Sequence, residues 1–177
     1  MKRYIVLIRA VMPSGKNKVP MAQLREALST GGFENVRTYI QSGNALVDTT
    51  LPAREVETRV HDLIRKHIGP DLAIVARTPA QVRKLLDANP FGDGHDPKRV
   101  FFALLARRPA AAKVRQLVEE DFGAEKLAIV GTTAYMYVPG PYGGGRLNNN
   151  FLEKRLDVAA TMRNLNTLTK LVEMSRD

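Results

Sequence analysis

The apolar positions of this chain alternate between short runs and helical stripes. Residues 3–11 form an apolar run rich in β-branched side chains, which predicts a buried strand. Residues 12–18 are polar, contain Pro13 and Gly15, and read as a loop. Met21, Leu24 and Leu28 then recur at helical spacing behind Pro20, and Gly31-Gly32 closes that helix. Residues 36–41 and 45–48 flank Ser42-Gly43-Asn44, a hairpin signal. Pro52 opens a second helix, with Val56, Val60, Leu63, Ile64 and His67 on one face, and Gly69-Pro70 stops it. Residues 72–76 predict a further strand.

That order is β-α-β-β-α-β, the ferredoxin-like arrangement. Thr78-Pro79 then caps a short helix carrying Val82, Leu85 and Leu86, and residues 89–97 are polar and rich in Gly and Pro. The second half repeats the theme. Residues 100–105 predict a strand, and Pro109 opens a helix with Val114, Leu117 and Val118. Residues 127–130 and 134–138 form a hairpin about Gly131-Thr132, and a helix follows around 150–156. The last helix is expected over 161–174, with Thr161 as its N-cap and Leu165, Leu168 and Val172 on one side. No closing strand is legible there. The expected fold is α+β: two ferredoxin-like subdomains, the second a variant repeat, with helices packed on antiparallel sheets, or one sheet built from both halves. The boundaries expected are 1–78, a connecting helix and linker at 79–97, and 98–177.

Composition narrows the chemistry. The chain has 177 residues, 44% hydrophobic and 25% charged, ordinary values for a globular protein. It has no cysteine, which excludes a disulfide scaffold, a cysteine nucleophile, a zinc finger and an iron–sulfur centre. His61 and His67 are six apart on one helix, which is no chelating pair, and His95 lies in a loop, so no metal is expected. No motif calls for a cofactor. The N-terminal apolar run stops at Arg9, short of the ~7–15 residues of a signal sequence, and no segment approaches the ~20 apolar residues of a membrane span. A cytoplasmic protein with no membrane partner is expected.

Charge adds a direction. Lys and Arg number 27 against 18 acids, a net +9, and the surplus is uneven. Residues 1–25 hold six bases and no acid, residues 52–97 balance at seven each, and residues 98–177 hold thirteen bases and eight acids. A positive field weighted to both ends favours anionic partners: RNA, DNA or a phosphate-bearing small molecule.

Three polar groupings carry candidate chemistry. The first is Ser14-Gly15-Lys16-Asn17. A nucleotide phosphate loop needs Gly-x4-Gly-Lys-Ser/Thr before a helix; here Ala10 and Asn17 occupy its first and last positions, and Pro20 removes an amide. What remains is a basic loop able to touch an anion, or a plain connector. The second is residues 38–44. In a strand, Tyr39 and Gln41 point the same way, and Tyr39, Gln41, Ser42 and Asn44 offer a ring and amides to a base or small ligand. The alternative is a turn whose Ser42 and Asn44 satisfy their own backbone. The third runs through Arg146 and Asn148-Asn149-Asn150 to Arg163, Asn164, Asn166 and Thr167. On a helix, Arg163, Asn166, Thr167 and Lys170 would share a polar face, and an arginine at a helix start suits an anion. Glu119-Glu120-Asp121 reads as an exposed helix end.

With residues 5–9, Gly15-Lys16-Asn17-Lys18-Val19-Pro20-Met21, residues 38–44, Phe151-Leu152-Glu153-Lys154 and residues 160–167 assembled, the chain resembles the domain of unknown function 1697 family over nearly its whole length. The resemblance implies an α+β protein of duplicated ferredoxin-like character and supplies no reaction. There are departures. The family usually has Arg-Gly-Ile-Asn-Val-Gly-Gly after the first strand, whereas Arg9 is followed here by Ala10-Val11-Met12-Pro13-Ser14-Gly15. Its Ser-Lys-Leu appears as Gly145-Arg146-Leu147, and its Trp in the last motif is Leu165. Arg9, Asn17, Gln41, Ser42, Asn44, Arg163, Asn164, Asn166 and Thr167 match.

Three functions remain open on these readings. The first is a binding module for a phosphate-bearing or nucleic-acid ligand. The second is a small-molecule enzyme holding an anionic substrate on Arg9 or Arg163, with Ser42 or Tyr39 near the chemistry. The third is an interaction protein with no catalytic site.

Overall fold

A computed structural model describes all residues, Met1–Asp177. The first unit contains β1 (Lys2–Ile8), α1 (Met21–Thr30), β2 (Glu34–Thr38), β3 (Asn44–Thr49), α2 (Ala53–His67) and β4 (Ile74–Arg77), followed by α3 (Pro79–Asp87). Its sheet is antiparallel with order β2-β3-β1-β4. β1 is buried at every position from Tyr4 to Ile8, which explains its unbroken apolar run. Tyr4, Val6 and Ile8 pack with Leu24 and Leu28 of α1 and Val56, Val60 and Ile64 of α2. Each such aliphatic burial contributes roughly 1.5–3 kcal/mol. α2 carries Glu55 in its first turn and Arg65 and Lys66 in its last, charges that complement the helix dipole. His67 is exposed in that last turn and does not extend the apolar stripe. Thr78 and Gln81 form a reciprocal cap at α3: Gln81 N donates to Thr78 Oγ1 (3.3 Å) and Thr78 N to Gln81 Oε1 (2.8 Å).

The second unit repeats the order with β5 (Val100–Leu105), α4 (Ala111–Val118), β6 (Lys126–Val130), β7 (Thr133–Tyr137), α5 (Asn149–Leu156) and β8 (Ala160–Asn164). Its sheet order, β6-β7-β5-β8, is that of the first sheet. There are two separate sheets, not one sheet shared by both halves. The repeat extends to single hydrogen bonds. Ile8 N donates to Gly43 O (2.8 Å) and Arg9 N to Ala73 O (2.9 Å); in the second unit Leu105 N donates to Thr132 O (2.9 Å) and Ala106 N to Ala159 O (2.8 Å).

The closing strand corrects the sequence reading. Residues 160–164 are not the start of a helix but β8, which pairs with β5 from Leu105↔Ala160 to Phe101↔Asn164. The second unit is therefore a complete β-α-β-β-α-β repeat, not a variant. The final helix, α6, spans Leu165–Met174. Its cap is Asn164, whose Oδ1 accepts from Thr167 N (2.8 Å), so Thr161 is not the N-cap. Val118, expected on the packed side of α4, is exposed.

The chain divides into compact units of residues 1–83 with 170–177, and residues 84–169. Arginines of the first sheet hold the returning tail. Arg3 Nη1 donates to Ser175 O (3.0 Å), and Arg37 Nη2 to Met174 O (2.5 Å). Arg3 also forms two parallel bonds to Asp48 (both 2.7 Å), whose Oδ2 accepts from Asn35 Nδ2 (2.9 Å).

Candidate functional site

One end of the first sheet gathers most of the N-terminal candidates. β1 stops at Ile8, short of the expected residue 11, because Ala10 takes a φ of 56° and turns the chain. This chain thus makes a left-handed corner with a residue less suited to it than glycine. The loop beyond closes on itself: Met12 N donates to Asn17 O (3.1 Å) and Lys18 N to Gly15 O (3.1 Å). Lys16 is exposed at its tip and Asn17 is half-buried.

The β2–β3 turn lies against this exit. Tyr39 and Gln41 are not on a strand as expected; β2 ends at Thr38, and Ile40 sits exposed at a φ of 48°. Gln41 Nε2 donates to Val19 O (2.8 Å), which ties the turn to the loop. Gly43 has a φ of 79°, and a Cβ there would lie 2.7 Å from Val11 Cγ2 and 3.0 Å from Ile8 O. Only glycine permits that approach. Asn44 is fully buried, and its Nδ2 donates to Tyr39 O (3.1 Å) and Ser42 Oγ (2.9 Å). Tyr39 N donates in return to Asn44 O (3.0 Å). Asn44 and Ser42 thus hold the turn together.

Beside the loop is an open depression of about 370 Å³, lined by Gly15, Lys16, Lys18, Pro20 and Gln23, with the Gly69-Pro70 corner opposite. Pro20 caps α1 without a side-chain hydrogen bond, and no acid stands in the first turn. The uncapped amides and both ammonium groups therefore leave a positive potential here. Lys18, Gln23 and the Gly69-Pro70 corner were missed from sequence. Lys18 carried a signal, as a second base in an acid-free stretch; the corner carried none.

The C-terminal candidates belong to the second unit. Arg163 lies on β8, not on a helix, so it shares no helical face with Asn166, Thr167 and Lys170. Its Nη1 donates to Thr161 Oγ1 (2.8 Å) and Met162 O (2.7 Å), and burial lowers its guanidinium to about 10. Asn164 caps α6, Asn166 is exposed and Thr167 is buried. Arg146 is engaged elsewhere: it donates to Glu120 Oε2 (2.6 Å) and Asp121 O (3.1 Å), and it lies over the rings of Phe122 (4.8 Å) and Phe151 (5.6 Å). Glu120 is therefore no free helix end. Bonds from Arg155 and then Arg146 hold its carboxyl down at about 2. Gly145 leaves room for Glu125, whose Oε2 accepts from Arg146 N and Leu147 N (both 3.0 Å).

No group of three His, Asp or Glu side chains is placed to hold a metal ion, and no helix is long and apolar enough to cross a membrane.

Two tandem ferredoxin-like units, each with its strand-to-helix loop beside its hairpin turn, define the class of protein. The chain belongs to the family described as "Protein of unknown function (DUF1697)", which matches residues 1–135. Among solved structures it is similar to a conserved bacterial protein from Streptococcus pneumoniae. The TM-score is 0.79 at 23% identity, covering 100% of this chain and 99% of the other. That likeness concerns the fold. The comparison with curated proteins returns no match.

Proposed function

We propose that the first unit binds a phosphate-bearing ligand, a nucleotide or nucleic-acid strand, at the loop between β1 and α1. The observation that carries this is the depression beside α1, where Lys16 and Lys18 stand against an uncapped helix start in a segment without an acid. Helix amides and ammonium groups together suit a phosphate. Exposed Gln41, tied to the same loop, offers a further amide to a ligand's polar edge.

The test is titration of ATP and of a single-stranded RNA oligonucleotide into the full chain at several salt concentrations. Log affinity should fall with log salt by roughly 0.7 per neutralised phosphate on a single strand. The double variant Lys16→Ala/Lys18→Ala should weaken binding and reduce that slope by about 1–2. Binding that ignores salt, or that the double variant leaves unchanged, would overturn the proposal.

A further inference from the structure

The second unit has its own cavity, between the loop into its first helix and its hairpin turn, whereas the depression of the first unit lies between the equivalent loop and the corner after α2. The opening, of about 250 Å³, is lined by Arg108, Pro109, Val114, Arg115, Ile129 and Gly131 among others. Its chemistry differs from that of the depression in the first unit. Pro109 is buried, and Val114 and Ile129 are half-buried, so the floor is apolar. The rim carries two guanidinium groups. Arg108 Nη2 lies over the hairpin, 3.9 Å from where a Cβ on Gly131 would stand, and Arg115 projects from the second turn of α4. Neither guanidinium makes a hydrogen bond or ion pair, and no lining residue is acidic. Nearby bases are already committed: Arg107 donates to Asp157 O (2.7 Å), and Lys113 faces the Asp157 carboxylate at 3.6 Å. The first turn of α4 holds no acid, and Ala110 gives it no side-chain cap.

An apolar floor needs an apolar occupant, whereas two unpaired guanidiniums and uncapped amides need an anion. A strongly hydrated inorganic ion satisfies only the second requirement. The volume lies just below the ~300–1,000 Å³ of drug-sized sites. We propose that this cavity binds a small carboxylate with a compact aromatic body, its carboxylate on Arg108 and Arg115 and its ring over Val114 and Ile129. Guanidinium groups pair bidentately with carboxylates and stack on aromatic faces, so both halves of such a ligand find a partner. This site is independent of the one proposed in the first unit.

The experiment is an NMR titration of the isotope-labelled full chain with phenylacetate. Two controls separate the parts: acetate has the anion alone, and 2-phenylethanol the body alone. Phenylacetate should shift the amides of residues 108–115 and 129–131 and bind at least about tenfold tighter than either control. Arg115→Gln and Arg108→Gln should each weaken it about tenfold, with amides elsewhere unmoved, and Lys16→Ala should leave it unchanged. Equal binding of 2-phenylethanol would overturn the proposal, since the arginines would then play no part. Equal binding of acetate would overturn it as well, leaving a basic rim only. So would the absence of saturable shifts at these residues.

Discussion

Gly43 and Gly15 offer a controlled test of how the β2–β3 turn meets the end of β1. Both have a φ of 79°. Replacing either by alanine forces an L side chain into the left-handed region, at about 1–2 kcal/mol. Reduced freedom of the unfolded chain returns about 0.4–1 kcal/mol. At Gly15 nothing lies within 4 Å of the added Cβ, so the net loss should stay near 1 kcal/mol or less. At Gly43 the Cβ meets Val11 Cγ2 at 2.7 Å and Ile8 Cβ and O at 3.0 Å. One of those neighbours is backbone, and it lies where Ile8 N already donates to Gly43 O, so it has little room to move. Overpacking of that kind adds about 1–3 kcal/mol. Gly43→Ala should therefore lose about 2–4 kcal/mol in total, which for a chain of this size lowers Tm by about 5–15 °C. Gly15→Ala should lower it by no more than a few degrees. Far-ultraviolet circular dichroism serves as the readout, because the chain has no tryptophan. Equal losses in the two variants would refute the reasoning, since the shared φ would then be the whole effect and the close approach nothing.

Asp48→Asn should cost about 1.5–3 kcal/mol in urea unfolding, because the Arg3 guanidinium loses its paired acceptor. Bonds from Arg3 and then Asn35 hold the Asp48 carboxyl below its ordinary range, so its contribution is present above about pH 4 and is lost as pH falls through the depressed value. Acid unfolding of the variant should lack that limb. His61 bonds Asp71 through Nε2 (2.8 Å) and Asp62 through Nδ1 (3.1 Å), which raises its pKa. Its contribution, about 1 kcal/mol or less for so exposed a group, is full below about pH 6.5 and lost as pH rises through the folded value. A Tm profile from pH 6 to 8.5 should fall in the parent relative to His61→Asn; parallel profiles would refute the pairing.

The fold was legible where burial leaves a strong period. α2 shows this best: Val56, Val60, Leu63 and Ile64 recur at helical spacing, and all are buried. β8 was illegible for a physical reason. Ala160, Thr161, Met162 and Arg163 do alternate as a strand should, but the run is only four residues long and passes directly into the helical period of Leu165, Leu168 and Val172, where Thr161 suits an N-cap as well. What decides it is the vacant edge of β5, far away in sequence. The end of β2 was hidden similarly, since a β-branched residue such as Ile40 rarely takes a positive φ. The candidate site was legible in part. Lys16 and the tie between loop and turn rest on residues that sequence singled out. The Gly69-Pro70 side of the depression comes from the far end of α2, and Arg108 and Arg115 belong to no motif, so only the fold brings their neighbours to them.

The grouping of residues 170–177 with the first unit sets an order on synthesis. At about 5–20 residues per second, residues 1–83 emerge several seconds before the segment that completes their contacts. Through that interval Arg3 and Arg37 lack the Ser175 and Met174 carbonyls they later bind, while the second unit already has the whole of its sheet by residue 164. The unit made first is thus the one whose last contacts form last, after a complete second unit has emerged between its two segments.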